Sequence, residues 1–99
     1  MEYDAVRHLL TEPRIAARTS PYIDDEGFDF AGLEQAADAL SAGEGLLVRI
    51  AHELWNAEKR AGLWELVRQL DHTNFERVLE ALCIAKGSSS WIVEGRLAA

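Results

Sequence analysis

Residues 41–56 read SAGEGLLVRIAHELWN, and this stretch decides the fold class. Ser41 is followed three positions later by Glu44, the form of a capping box, in which each side chain satisfies a backbone N–H at the start of a helix. Leu46, Leu47, Ile50 and Leu54 then recur at helical spacing, with Trp55 beside them. The stretch therefore predicts a helix of about four turns with one apolar face. Such a face is stable only against other elements, so the neighbouring sequence must supply them.

Toward the N-terminus, Asp29 is placed to cap a helix whose stripe is Phe30, Leu33, Ala37 and Leu40, with Glu34, Gln35 and Asp38 facing away. Ser20-Pro21 and the acidic run up to Gly27 read as a loop. Further back, Tyr3, Val6, Leu9 and Leu10 form a helical stripe that Pro13 interrupts. Proline suits the first position of a helical turn, here one carrying Ile15.

Toward the C-terminus, residues 56–62 are polar and end in Gly62. Leu63, Leu66, Val67 and Leu70 then predict an amphipathic helix of about two turns. Asp71-His72 breaks it, and Thr73 with Glu76 reads as a second capping box. Phe75, Val78, Leu79, Leu82 and Cys83 form the next stripe, closed by Lys86 and Gly87, a cation at the helix end followed by a C′ glycine. After three serines comes Trp91-Ile92-Val93, apolar but without helical spacing.

These signals define an all-α fold, a compact bundle of four to five short helices packed obliquely around a single core. Residues 1–87 form the helical domain and 88–99 a C-terminal tail. Ninety-nine residues suffice for one core and no second. A hydrophobic content of 48% argues against disorder, and no heptad persists for a coiled coil. No apolar run approaches the roughly 20 residues that span a bilayer. The acidic start and the single cysteine point to a reducing cytoplasm.

Charge is distributed unevenly. Between Arg18 and Arg49 there is no Lys or Arg, and the interval holds Asp24, Asp25, Glu26, Asp29, Glu34, Asp38 and Glu44. Those seven acids equal the whole net charge of −7, because the other ten acids and the ten bases cancel. Phosphate contacts require clustered bases, so direct nucleic-acid binding is disfavoured.

No catalytic, cofactor or metal motif is complete. His52-Glu53-Leu54-Trp55-Asn56 has Asn where a zinc-protease helix needs its second His, so these read as solvent-facing polar residues. Cys83 lies on an apolar stripe near a helix C-terminus, where the dipole disfavours a thiolate, and reads as core. Asp24 to Asp29 lacks the spacing of a calcium loop, with Gly27 fourth rather than sixth. Residues 63–86 have a helix-turn-helix outline, but Glu76, Arg77 and Glu80 make a poor DNA-reading face.

The expectation is a small acidic protein-binding module, adaptor or regulator, without catalysis. Asp24, Asp25, Glu26, Asp29, Glu34 and Asp38 would meet a partner protein with a basic surface, and Trp91 with Ile92 would form a second contact. Arg14, Arg18 or Arg49 folding over those acids is the competing structural account. Two alternatives are an inhibitor of the phage or mobile-element type that imitates nucleic acid, and a homo-oligomeric structural component. The last predicts apolar residues left exposed on the monomer. Trp55 and Trp64 are expected to flank the core.

Overall fold

A computed structural model describes residues 2–87 and the backbone pairs 92–93 and 96–97. The chain is mostly helical. Its order is α1 (Glu2–Leu10), α2 (Ala16–Thr19), a 3-10 turn (Ser20–Tyr22), α3 (Phe30–Ala37), α4 (Ala42–Asn56), α5 (Leu63–Gln69) and α6 (His72–Lys86). The described helices thus number six rather than four to five. The addition is α2, which grows from the turn at Pro13 as Ile15 and Ala16 donate their N–H groups to Glu12 O, each at 2.9 Å. A short antiparallel hairpin follows, β1 (Ile92–Val93) and β2 (Arg96–Leu97), with Ile92 opposite Leu97.

Capping decides where α4 begins. Glu44 N–H donates to Ser41 Oγ at 3.2 Å, and Ser41 N–H to Glu44 Oε1 at 3.1 Å. Asp29 caps α3 through Gly32 N–H at 3.1 Å. Helix α6 ends as expected, with Gly87 at φ 77°. Its start differs. Asp71, not Thr73, is the cap, accepting Asn74 N–H at 2.8 Å. The carboxylate of Asp71 takes a free N–H two residues before the Thr hydroxyl can, and a carboxylate also suits the positive end of the helix better.

Helix α1 packs against both α4 and α6, with α3 on α4. Val6, Leu9, Leu10, Leu33, Leu46 and Leu47 are fully buried between them. Each such side chain contributes roughly 1.5–3 kcal/mol relative to exposure. Glu80 and Arg77 also turn inward: His8 Nε2 lies 2.8 Å from Glu80 Oε1, and Arg77 Nε donates to His8 O at 2.7 Å. The mixed face expected to point outward from α6 is therefore partly an α1 contact.

Two features of α4 and α5 shape the surface. Gly43 permits a close approach, since a Cβ there would stand 2.8 Å from Gln69 O at the end of α5. The stripe of α5 is only half used: Leu70 is buried and Leu66 half-buried, while Leu63 and Val67 are exposed.

Candidate functional site

The acids of residues 24–38 do different work from one another. Asp24 folds its own loop, accepting Glu26 N–H at 2.7 Å and Gly27 N–H at 2.9 Å. Its carbonyl also takes the Tyr3 hydroxyl, tying the loop to α1. Asp29 is committed to the α3 cap. Asp25, Glu26 and Asp38 are exposed. Trp91 lies outside the described residues, and of Ile92 only the backbone is described.

Glu34 and Asp38, one turn apart on α3, line a groove of about 520 Å3 between α3 and α4. Its solvent-accessible apolar lining is Ala37, Leu40 and Ala42, while Leu46 and Val48 are fully buried, and Gln69 also lines it. Arg49 reaches this groove but is engaged elsewhere, with Nη2 2.6 Å from Glu65 Oε2 and Nη1 donating to Arg60 O at 3.0 Å. That ion pair and the Gly62 N–H hold the Glu65 carboxyl below its ordinary range.

Behind the groove Glu34 meets His52. The His52 ring is buried, stacks on Phe30 at 4.2 Å between centroids and 2° between planes, and presents Nδ1 2.7 Å from Glu34 Oε1. A carboxylate only accepts, so Nδ1 carries the proton. Arg60 Nη1 approaches the same oxygen at 4.0 Å. The solvent-facing expectation for His52 is corrected: the ring's flat face complements Phe30, and Glu34 satisfies its polar edge. The groups beside Glu34 are thus the His52 imidazole and the Arg60 guanidinium. Arg14 is drawn instead to Glu12, Asp71 and Asn74. Glu53, next to His52, binds the following loop by accepting Arg60 N–H at 2.8 Å and Ala61 N–H at 3.0 Å.

No family model, no curated protein and no solved structure matches this chain. Among the described residues no three His, Cys, Asp or Glu side chains gather as a metal site, and no helix is long and apolar enough to cross a membrane. The groove pairs carboxylates with an apolar floor, an arrangement that suits a long cationic side chain whose stem is apolar.

Sequence reasoning missed His52 and Arg60 as partners of Glu34. The available signal was the position of His52 four residues after Val48, one helical turn on and on the same side of α4. Trp55 and Trp64 share the expectation of flanking the core, and the structure separates them. Trp55 packs edge-on to Phe28 at 5.0 Å and near Tyr3 at 6.4 Å. Trp64 is exposed, so its expected place at the core is corrected. Arg68 lies 5.4 Å over its ring.

Proposed function

We propose that this protein is a non-catalytic binding module that captures a basic segment of a partner protein in the groove between α3 and α4. The carrying observation is that Glu34 and Asp38 share one wall of a groove with an apolar floor. A Lys or Arg stem lies along Ala37, Leu40 and Ala42, and its charged head reaches Asp38 and the free side of Glu34. Charge supports this assignment, since residues 19–48 carry seven acids and no Lys or Arg. The field of that segment speeds encounter with a basic partner and disfavours acidic ones.

The test is binding of an array of Lys- and Arg-containing peptides to the wild type, Asp38→Lys and Glu34→Gln. Asp38 is exposed, so its reversal leaves the fold intact, whereas Glu34→Lys would place a cation against His52 and Arg60. Peptides held by the wild type should bind Asp38→Lys at least tenfold more weakly, and lose affinity as salt rises. Equal binding by wild type and Asp38→Lys, or no bound peptide at all, removes the reading.

A further inference from the structure

The largest exposed apolar side chains among the described residues lie together, away from the acidic groove wall. Leu63 is 84% exposed, Trp64 67%, Val67 60% and Leu82 43%. Leu63, Trp64 and Val67 occupy one side of α5, and Leu82 of α6 adjoins Leu63 at the rim of a second cavity of about 140 Å3. That cavity is apolar, walled by Ile50, Leu54, Leu66 and Val78, with room for one aliphatic side chain. Arg68 stacked over Trp64 holds the indole at the edge of the face.

We infer that this face is covered by a second copy of the chain, α5 against α5 across a two-fold axis. Area is the first argument. The four residues expose on the order of 500 Å2, toward the upper end of the largest apolar patch on a monomer, which is often a functional one. Two copies meeting through it bury roughly 1,000 Å2, the lower bound of a specific interface. Charge is the second. The chain as a whole carries −7, but residues 49–70 hold four bases (Arg49, Lys59, Arg60, Arg68) against three acids (Glu53, Glu58, Glu65), a net of +1. The acidic surplus that would drive two copies apart is carried by residues 19–48, so the segment that meets its twin is nearly neutral. The third argument is geometric. A two-fold contact offers each copy's cavity an aliphatic side chain from the other, which fills an apolar hollow that water occupies poorly. The association is independent of the groove, and it would display two acidic grooves on one particle.

Sedimentation equilibrium of the full chain tests this, with Val67→Glu, Trp64→Glu and Asp38→Lys beside the wild type. The wild type should pass reversibly from 11.0 kDa to twice that mass across the micromolar range. Val67→Glu and Trp64→Glu should stay monomeric with unchanged circular dichroism, because both positions face outward in the monomer. Asp38→Lys should dimerise like the wild type while losing basic peptides, which separates this inference from the groove. A wild type that is strictly monomeric up to about 200 µM overturns the inference, which requires dimers in the micromolar range. Dimers that persist in both glutamate variants overturn it too, by placing the contact elsewhere on the chain.

Discussion

His52 donates its Nδ1–H to Glu34 Oε1 at 2.7 Å, joining the buried face of α4 to the exposed face of α3. Glu34 thereby belongs to two environments at once, with one oxygen on a buried ring and the rest of its carboxylate at the groove. Removing the carboxylate leaves the His52 N–H buried without a partner. Glu34→Ala should cost about 1–2 kcal/mol in urea unfolding, while Glu34→Gln, whose amide oxygen still accepts, should cost much less. Equal losses in the two variants would mean that the hydrogen bond contributes nothing beyond packing.

Arg14 ties the turn after α1 to the start of α6. Its guanidinium donates to Glu12 at 3.1 Å, Asp71 at 3.2 Å and Asn74 at 3.0 Å, and both Glu12 and Asn74 are buried. Arg14→Met keeps the stem and deletes the donors, leaving two buried acceptors short of a partner. The expected loss is about 2 kcal/mol, less than for a fully buried pair because Arg14 itself is half in water. Calorimetry of the variant against Arg18→Met, an exposed control, checks it.

Acid should weaken the fold through Glu65 and Asp71. Both carboxyls are held below their ordinary values: Glu65 by Arg49 and the Gly62 N–H, Asp71 by the Asn74 N–H and Arg14. A carboxyl lowered on folding adds stability that is full above its unfolded value and is lost as pH falls through its folded value. The urea midpoint should therefore drop below about pH 4.5, the ordinary range for a carboxyl. The drop should be shallower in Glu65→Gln and Asp71→Asn, and identical pH profiles in all three proteins would exclude these two groups as its source.

Ala57 ends α4 at φ 58°, a left-handed conformation that costs a residue with a Cβ. Ala57→Gly relieves that cost, partly offset by the greater freedom of glycine in the unfolded chain. A net gain of about 0.5–1 kcal/mol is expected, seen as a rise in melting temperature.

Burial separates two large apolar side chains. Leu47 is fully buried and Trp64 mostly exposed. Leu47→Ala should cost about 3 kcal/mol through lost burial and the cavity left behind. Trp64→Ala, measured at a concentration where the protein is monomeric, should change stability by less than about 0.5 kcal/mol.

Much of the secondary structure was legible because it depends on neighbours in sequence. The Ser41–Glu44 box, the Asp29 cap and the Gly87 stop are contacts within four residues, and each appears where the pattern placed it. The start of α6 was misread by two residues because Asp71 and Thr73 both suit a cap and the local sequence does not rank them. The candidate site was legible only as charge. The run of acids was visible, but not that Asp24 spends its carboxylate on the backbone N–H groups of its own loop while Asp38 stays exposed.

The sequence by itself determined the helical periodicity, most of the helix ends and the acidic surplus between Arg18 and Arg49, since propensity, capping and charge are local or additive. Only the tertiary structure decided which apolar residues are buried and which acids are paired. Leu63 and Leu66 have the same chemistry three positions apart, yet α4 and α6 cover only the second more fully. Glu34 and Asp38 share a helix face, yet only Glu34 meets His52. Both outcomes depend on how helices distant in sequence cross, a relationship set by the packing of the whole core rather than by any single segment.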